Sequence, residues 1–392
     1  MLMTCSAFLD RMENTMLYYR YRPMTSLTIK ELIYDELYFS YPEELNDPLD
    51  GMITYEFSED FPKWKRLLER AWDGLEVDAT KFAEGFARSA PITMGELIEN
   101  PQFILSKILE FIDTKNIILA PILAEKLKAY ISIYKPNHGC SVSFSRTYEN
   151  ALMWSHYTGK HEGFCLIFRS LNGKINQCPS RRKTFVDIED HCKLSVTENF
   201  KLHDITYGPK QSIDGFTLFP HSVYGRDMTD HERKIYWERT ENSTLTKSSY
   251  WNYEQESRLY IPANSSCVSN ESISSINRIF HYDNSQIAGV IYGIRMSESN
   301  KKLVREVLLK KSRERHLDSS NEKYLFDIVS FESKFDDNQH NISIKPSEIF
   351  DCGSAISSSN PAFISKLSSW EKGEAIHIRP TEKGTSGSRI IL

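Results

Sequence analysis

The chain of 392 residues lacks the features that mark several classes of protein. It contains no apolar run near the roughly 20 residues that a membrane-spanning helix needs. Its first residues, MLMTCSAFLDRMENTM, include Asp10, Arg11 and Glu13 too early for a secretory signal peptide. These two absences predict a cytoplasmic protein with no membrane partner.

Cysteine pairs and an excess of positive charge are also absent. The seven cysteines occur singly, without a CxxC pair, and their odd number favours reduced thiols over a disulfide framework. The formal net charge is -5, with acidic and basic residues mixed along the chain, so we have no electrostatic reason to expect a nucleic-acid-binding protein. Glycine-rich phosphate loops and nucleophile elbows are missing as well, so common nucleotide and hydrolase motifs give no assignment.

The composition is sufficient for a hydrophobic core, and the apolar residues recur with strand spacing in some segments and helical spacing in others. Hydrophobic residues make up 40% and aromatic residues 12% of the chain, enough for a substantial core. Alternation or short apolar runs predict strands at YYRYR, SVSFS, GFCLIF, RLYIP, QIAGVIYGI and KYLFDIVSF. Residues 61–135 repeat apolar residues at helical spacing, for example Trp64, Leu67 and Leu68. The pattern predicts an α+β protein with a helical insertion.

These patterns divide the chain into four parts, as its length above one typical domain also suggests. We expect residues 1–60 to form the N-terminal part of an α+β core and residues 61–138 to form the helical insertion. Residues 139–350 would complete the core. Residues 351–392 are rich in Ser, Gly and Thr, show little periodicity, and would form a C-terminal tail that is partly mobile. The helical insertion is a candidate surface for a partner protein.

Two helix starts carry capping-box signals. In TIKELIYDE, Thr28 is the expected N-cap residue and Glu31 its capping-box partner. Thr93 and Glu96 form the same pattern before another apolar stretch. We therefore expect one helix to begin after Thr28 and another after Thr93.

Two short polar patterns indicate a ligand site. In YYRYR, strand periodicity places Arg20 and Arg22 on one face and the tyrosines on the other. Paired guanidinium groups can clamp a pyrophosphate, and an edge strand with solvated arginines fits the same pattern. In SVSFS, the serines Ser141, Ser143 and Ser145 share one face. Small hydroxyls on one face suit either the close approach of a ligand or contact with solvent.

The stretch NYEQESRLYIP contains two carboxylates one residue apart. If it is extended, Glu254 and Glu256 point to the same face, where like charges repel. Such a pair is useful if one carboxylate stays ionised against a developing cation and the other is tuned as a base. The alternative is a surface strand in which either glutamate pairs with Lys247 or Arg258.

The histidines give no metal-site pattern. His156 and His161 flank YTGK, and their spacing does not place two ligands on one helix turn. We interpret them as packing residues or as the polar lining of a site. A different set of oxygen ligands, Glu254, Glu256 and Asp47, would suit magnesium or manganese.

Four stretches together resemble a known family. They are YRYRPMTSLTIKELIYDELYFSYPEELNDPLD, VSFSRTYENALMWSHYTGKHEGFCLIF, KSSYWNYEQESRLYIP and IAGVIYGIRMSESNKKLVREVL. In this order they resemble a bacterial family described only as a domain of unknown function, number twenty-nine seventy-one. The resemblance covers roughly residues 17–310, with Leu45 and Leu49 where the family pattern has phenylalanines. The family label implies no activity.

A second resemblance is to ADP-ribosyltransferases of the Arg-Ser-Glu class. The shared pattern is an arginine on an early strand, then Ser-x-Ser, then Glu-x-Glu, although the last two motifs lie farther apart than in compact toxins. In this chain its members are Arg20 or Arg22, Ser143, Ser145, Glu254 and Glu256. The resemblance implies a split pair of β-sheets that clamp NAD between them, with flanking helices.

The resemblance also implies roles for these residues. An arginine would hold an NAD phosphate, and Ser143, with Ser145 beside it, would order the site around the nicotinamide ribose. Glu256 would accept a hydrogen bond from the ribose 2′-hydroxyl and stabilise the oxocarbenium-like cation that forms as nicotinamide leaves. Glu254 would orient or deprotonate the acceptor nucleophile.

Aromatic residues would complete such a site. Trp154, Tyr157, Trp251 and Tyr253 would stack on the nicotinamide or line the acceptor loop, and His156 would line the NAD site. These interpretations concern the ligand-binding surface only, since the acceptor is not specified by any motif.

Three functions are consistent with these residues. The first is an NAD-using ADP-ribosyltransferase or NAD glycohydrolase, acting on a protein, a nucleic acid or water, and used as a toxin or anti-phage effector by analogy with similar bacterial folds. The second is a non-catalytic module of the same fold that senses a nucleotide or a phage component. The third is a metal-dependent hydrolase or nuclease. Convergence of Arg20 or Arg22, Ser143 and Glu256 on one cleft would favour the first.

Overall fold

The computed structural model describes residues 15–182, 185–187, 193–195, 199–262, 275–317, 325–336 and 341–374. The α-helices of these residues are α1 (Ser26–Tyr34), α2 (Phe61–Ala71), α3 (Thr80–Arg88), α4 (Met94–Glu99), α5 (Pro101–Leu109), α6 (Ala120–Ile133), α7 (Ala151–Tyr157), α8 (Asp230–Thr244), α9 (Glu298–Leu317) and α10 (Ala362–Glu371). Within the part of the chain that the structure describes, every helix is too short or too polar to span a bilayer.

The strands of these residues follow in chain order. They are β1 (Leu17–Arg22), β2 (Glu36–Tyr38), β3 (Tyr55–Phe57), β4 (Ile92–Thr93), β5 (Cys140–Ser145), β6 (Phe164–Arg169), β7 (Lys174–Asn176), β8 (Phe185–Asp187), β9 (Lys193–Ser195), β10 (Asn199–Asp204), β11 (Thr206–Tyr207), β12 (Ile213–Asp214), β13 (Thr246–Lys247), β14 (Glu256–Ile261), β15 (Ile279–His281), β16 (Ile287–Tyr292), β17 (Ile328–Asp336), β18 (Asn341–Asp351) and β19 (Ser354–Ser357). Helices and strands are thus mixed, and the predicted α+β class is confirmed.

Ten of these strands form one large sheet, in the order β19–β18–β17–β16–β6–β1–β5–β14–β10–β7. Neighbouring strands are antiparallel, except that β16 and β17 are parallel and are connected through α9. The remaining strands form small two- or three-stranded sheets, of which β12–β3–β4 lies beside the helical block. The strands predicted from alternation therefore lie mainly in the large sheet.

The large sheet is weakly joined between β1 and β5. β1 pairs with β6 over six residues, and β5 pairs with β14 over six residues. Among the described residues, the register between β1 and β5 consists of one pair, Tyr19 and Ser145. The two halves of the sheet separate next to this pair, and a cleft lies there. Two separate sheets were expected in this core, but the Tyr19–Ser145 pair joins the two halves into one large sheet.

Both faces of the large sheet are covered. On one face, Phe164 and Phe168 of β6 pack in a core with Val304 of α9. On the other face, Cys165 of β6 packs in a core with Trp154 of α7, to which α10 also contributes. All six residues of β6 are buried for this reason, as the continuous apolar run GFCLIF predicted.

The helical block has a core of its own. Trp64 of α2 stacks on Phe86 of α3, with ring centroids 5.0 Å apart, and meets Phe216 edge-on at 5.3 Å. Helices α2–α6 largely match the helical pattern predicted for residues 61–135. The core of the block also includes Phe216 and Phe219, so residues from a distant part of the sequence complete it.

One predicted helix cap is confirmed and one is wrong. Thr93 accepts a hydrogen bond from the Glu96 N–H, and Glu96 accepts one from the Thr93 N–H, as a capping box requires. At α1, however, the N-cap is Thr25, and Thr28 occupies the third helical position. Glu31 does not cap the helix, because its carboxylate binds Arg22 instead.

The segment interpreted as an irregular tail is ordered up to residue 374. β19 pairs with β18, and α10 packs on the sheet. The indole of Trp370 donates to the Ala288 carbonyl at 2.8 Å, while Arg169 donates to the Trp370 carbonyl at 2.7 Å. This part therefore contains a strand and a helix that the low periodicity did not predict, and residues 375–392 lie outside the described residues.

Candidate functional site

A cleft of about 300 Å³ lies where β1 and β5 separate. Its lining is partly polar and partly apolar and comes from β1, the 38–50 segment, β5, α7, β13 and the residues around the start of β14. The lining includes Arg20, Arg22, Asp47, Asp50, Ser143, Ser145, Tyr157, Lys247, Trp251, Glu254 and Glu256. Arg20, Arg22, Ser143 and both glutamates thus line one cleft, as expected if they form a single site.

The first wall of the cleft carries two arginines and one carboxylate, and we call it the β1 wall (Arg20, Arg22 and Glu31). Arg22 binds the Glu31 carboxylate directly, and Arg20 lies 4.0 Å from it. Arg20 is buried and lies 5.7 Å from the Phe144 ring centroid. Burial and the neighbouring Arg22 lower the pKa of Arg20 to about 10, so it stays protonated at neutral pH. This wall has one surplus positive charge.

The arginines reach the cleft from their own side of β1. Tyr19 is the residue that pairs with Ser145, so Tyr19 and Tyr21 share the face of the sheet on which Ser145 lies. Arg20 and Arg22 point to the other face, as strand alternation predicted. Because β1 and β5 separate beyond this pair, side chains from both faces of β1 line the cleft.

The second wall belongs to the other half of the sheet, and we call it the acidic wall (Asp50, Lys247, Glu254, Glu256 and Arg258). Lys247 lies at its centre, with Nζ 2.5 Å from Glu254, 3.1 Å from Glu256 and 3.1 Å from Asp50. All five residues are at most 5% exposed. Three carboxylates and two cations give this wall one surplus negative charge when all are ionised.

Arg258 is the second cation of the acidic wall. Its Nε donates to Glu256 Oε1 at 2.5 Å. Its Nη2 donates to Glu256 Oε2 at 2.9 Å and to Asp50 Oδ2 at 2.5 Å. The predicted alternative, pairing of the glutamates with Lys247 or Arg258, is therefore correct as to partners. It is wrong as to location, because the pairs are buried and not on a surface strand.

The two glutamates converge by a route that differs from the predicted strand. Glu254 ends a short helix, Ser249–Glu254, and Glu256 begins β14. Between them Gln255 adopts the left-handed conformation, with φ of 43°. This turn brings both carboxylates to Lys247, although they do not share one strand.

The environments of the two glutamates drive their pKa values apart. Burial opposes ionisation of Glu256, but Arg258 and Lys247 outweigh it and lower its pKa to about 2. Burial raises the pKa of Glu254 above its usual value, against the opposing attraction of Lys247. The Tyr157 hydroxyl donates to Glu254 Oε1 at 2.5 Å. One carboxylate is therefore held ionised, and the other takes up a proton more readily.

The serines of β5 lie beside this network. Ser145 pairs with Glu256 and Ser143 with Arg258, which confirms the shared face. The Ser145 hydroxyl donates to the Glu254 carbonyl at 2.7 Å and is buried. Ser143 is exposed within the cleft, and its hydrogen bond to Glu256 contributes to the low pKa of that carboxylate. Ser143 is thus placed to contact a ligand, whereas Ser145 fixes the backbone before Gln255.

Three of the predicted NAD-contacting residues, Trp154, His156 and Tyr253, lie outside the lining of the cleft. Trp154 is fully buried, and its indole donates to the Tyr148 carbonyl at 2.7 Å. It cannot stack on a ligand without unfolding of this core. His156 is exposed on α7 and faces the Tyr253 ring at 6.4 Å. Trp251, by contrast, lines the cleft, and its ring lies 5.0 Å from Lys247 Nζ.

Asp50 is a site residue that sequence reasoning missed. Within the stretch NDPLD, the sequence suggested a role for Asp47 alone, as a metal ligand. Asp50 nevertheless meets Arg258 and Lys247, and Lys210 holds the segment around it by bonding to the carbonyls of Leu49 and Met52. An acidic residue in a turn carries no local signal for a buried role.

The carboxylates at the cleft do not form a metal site in this structure. Within the described ranges, no group of three or more His, Cys, Asp or Glu residues is placed to hold a metal ion. Glu254 and Glu256 bind Lys247, whose ammonium occupies the centre of the acidic wall. Asp47 accepts the Leu49 N–H at 3.0 Å. The oxygen ligands suggested for magnesium or manganese are therefore committed to protein donors.

Comparison with protein families adds one finding. Residues 153–259 match the model of a family described as a protein of unknown function (DUF2971). This match supports the DUF2971 assignment. The DUF2971 segment runs from α7 into β14 and contains Tyr157, Lys247, Glu254, Glu256 and Arg258, so it holds most of the acidic wall. No curated protein and no solved structure matches the chain.

Proposed function

We propose that the cleft binds NAD as a substrate and that the protein is an ADP-ribosyltransferase-like enzyme. It would break the nicotinamide–ribose bond and transfer ADP-ribose to a macromolecule or to water. The observation that carries the proposal is the convergence of Arg20, Arg22, Ser143, Glu254 and Glu256 on one cleft, at the point where the sheet separates.

The charges of the two walls support a ligand that carries both signs. The β1 wall has a surplus positive charge, and the acidic wall has a surplus negative charge. NAD carries a positive nicotinamide ring and a negative pyrophosphate. Arginine guanidinium groups match phosphate oxygens, and a carboxylate-rich wall stabilises the pyridinium. A cleft of about 300 Å³ is at the lower end of the size of ligand pockets, which suits one half of a dinucleotide.

Glu256 suits the stabilisation of the transition state. Its pKa of about 2 keeps it ionised at neutral pH. When the C1′–N bond breaks, nicotinamide leaves with the bonding electron pair as a neutral molecule, and the ribose becomes an oxocarbenium-like cation. A fixed carboxylate beside C1′ stabilises that cation, because the charge develops only in the transition state.

Glu254 suits the activation of the acceptor. The incoming oxygen forms a bond to C1′ and loses a proton, which Glu254 can accept. Its raised pKa brings the carboxylate closer to the range of an effective general base. Tyr157 and Lys247 hold its two oxygens at 2.5 Å each and so fix its orientation.

A non-catalytic NAD- or nucleotide-binding module is the second candidate. The observation that favours it is the complete pairing of Glu256, whose two oxygens both accept hydrogen bonds from Arg258, with Lys247 at 3.1 Å. A carboxylate held in this way has no oxygen available for the ribose 2′-hydroxyl. Such a module would bind NAD and release it unchanged.

A turnover assay separates the two candidates. Purified protein is incubated with NAD labelled either on nicotinamide or on the adenylate, with and without cell lysate. We expect nicotinamide release, and Glu256→Gln should reduce its rate by at least about a hundredfold, because the charge that stabilises the cation is lost. The matched control is Glu238→Gln on the exposed face of α8, which should retain the wild-type rate.

The products identify the acceptor class. Release of nicotinamide without transfer of the adenylate label indicates a glycohydrolase, and transfer of the label to lysate material indicates a transferase. Binding of NAD without turnover would favour the non-catalytic module. If the wild-type protein neither binds nor cleaves NAD, the proposed function is wrong.

A further inference from the structure

Asp50 has spare hydrogen-bonding capacity inside the acidic wall. Its Oδ2 accepts from Arg258 Nη2 at 2.5 Å and lies 3.1 Å from Lys247 Nζ. Its Oδ1 is buried and has no hydrogen-bond partner within the described part of the protein. Folded proteins pair nearly all buried polar atoms, so an unpaired carboxylate oxygen beside two cations calls for an explanation.

The position of this carboxylate is fixed by its own segment. The Asp50 N–H donates to the Asp47 carbonyl at 3.0 Å, and Lys210 bonds to the carbonyls of Leu49 and Met52. Gly51 follows with a φ of +68°, and a side-chain carbon there would lie 3.1 Å from Pro42. Rotation of the carboxylate group is the motion that remains easy, since the terminal torsion of aspartate is broad.

Asp50 and Glu256 share the same two donors. Arg258 Nη2 bridges Asp50 Oδ2 and Glu256 Oε2, and Lys247 Nζ lies 3.1 Å from each carboxylate. Glu256 is fully paired, while Asp50 has one free oxygen. A small rotation of Asp50, with Arg258 Nη2 and Lys247 Nζ shifting towards it, would therefore pair Oδ1 and release Oε2 of Glu256, while Oε1 keeps its bond from Arg258 Nε.

We propose that Asp50 is a positioning residue that takes over Lys247 Nζ and Arg258 Nη2 from Glu256 Oε2 when NAD binds, which frees that oxygen for the ribose 2′-hydroxyl. The inference rests on the proposed function. It removes the obstacle that favours the non-catalytic candidate, because the donors that saturate Glu256 have a second acceptor within reach. Total charge and the number of donors stay the same, so the exchange requires no proton transfer.

The test compares two ligands in one protein preparation. Affinities for NAD and for its analogue without the 2′-hydroxyl on the nicotinamide ribose are measured by rapid-mixing fluorescence, with Trp251 in the cleft as the reporter. We expect the wild-type protein to prefer NAD by about tenfold or more, the worth of one hydrogen bond to a charged group. In Asp50→Asn this preference should vanish, since the neutral amide cannot hold the cations and Glu256 stays paired.

Two further variants exclude a merely structural effect. Asp50→Glu keeps the charge and should retain most of the preference. Glu43→Gln removes a carboxylate from the same segment outside the cleft lining, does not touch Lys247 or Arg258, and should retain it fully. The ratio of two affinities is independent of the fraction of folded protein, so general destabilisation would leave it unchanged.

The other outcomes show whether the role of Asp50 or the proposed function is wrong. If Asp50→Asn keeps the 2′-hydroxyl preference while the wild-type protein releases nicotinamide, the role of Asp50 is wrong and the proposed function stands. A wild-type protein that releases nicotinamide but shows no 2′-hydroxyl preference overturns the inference even if Asp50→Asn does not fold. A wild-type protein that does not bind NAD overturns the proposed function and the inference with it.

Discussion

Both walls of the cleft combine carboxylates with cations, but cations are in excess on the β1 wall and carboxylates are in excess on the acidic wall. The β1 wall sets two arginines against one carboxylate, and the acidic wall sets three carboxylates against two cations. Each wall compensates most of its charge internally, which burial requires. The small excess charge that remains is positive on the β1 wall and negative on the acidic wall. The two sides of the cleft therefore differ in charge, while neither half of the sheet carries a large unpaired charge.

The walls also differ in how firmly their charged groups are held. The Arg22 side chain is 21% exposed and has one carboxylate partner, whereas the Arg258 side chain is 1% exposed and binds two. The Arg22 side chain can therefore adjust to a phosphate. On the acidic wall, a change in one pairing must be matched by another, and this coupling is what makes the free oxygen of Asp50 consequential.

Removal of Lys247, the central cation of the acidic wall, should have the largest effect on stability. Lys247→Met leaves three buried carboxylates with Arg258 as their remaining cation. We expect a loss of about 3–5 kcal/mol in the free energy of unfolding, as for other buried ion pairs from which one partner is removed. Urea denaturation at neutral pH measures it.

The same substitution on the β1 wall is the matched control. Arg22→Met removes a partly exposed cation with one partner, and we expect a loss of about 1 kcal/mol or less. Equal losses for the two variants would show that the acidic wall is no more coupled than the β1 wall, and the comparison would not hold.

A smaller effect should distinguish the two glutamates within the acidic wall. The pKa of Glu256 is lowered from 4.5 to about 2, so its stabilising contribution is present above pH 4.5 and is lost as the pH falls towards 2. The pKa of Glu254 is raised, so its contribution is present below 4.5 and is lost as the pH rises through the raised value. The contribution of Glu256 is about 3 kcal/mol, since one unit of pKa corresponds to about 1.4 kcal/mol.

Unfolding free energies of the wild-type protein, Glu256→Gln and Glu254→Gln across this pH range measure the difference. Glu256→Gln should reduce the loss of stability on acidification, and Glu254→Gln should reduce the loss as the pH rises above 4.5. If the two variants change the pH profile in the same direction, the division between an ionised carboxylate and a base is wrong.

Local patterns in the sequence predicted the strands that form the cleft. Alternation in YYRYR and SVSFS placed Arg20 and Arg22 on one face and Ser143 and Ser145 on one face, and β1, β5 and their pairings agree. The continuous apolar run of β6 indicated burial on both sides. These features depend on residues that are close together in the sequence, so they can be predicted without a structure.

Features that depend on distant residues could not be predicted in the same way. Asp50 and Arg258 are 208 positions apart, and no local pattern connects them. Glu31 fitted a capping box by spacing, but an arginine on a neighbouring strand binds it instead. The left-handed conformation of Gln255 has no sequence signal, since this residue is not glycine or asparagine. The roles of the protein as a toxin or anti-phage effector, and of the helical block in binding a partner, stay predictions.

The most direct test of the account uses the charge of the nicotinamide ring. NAD and its reduced form have the same pyrophosphate and riboses, but the ring is positive in NAD and neutral in the reduced form. Rapid-mixing titrations with Trp251 fluorescence give both affinities before turnover. We predict that NAD binds about tenfold more tightly than its reduced form, because the acidic wall favours the positive ring. Equal affinities, or tighter binding of the reduced form, would contradict it.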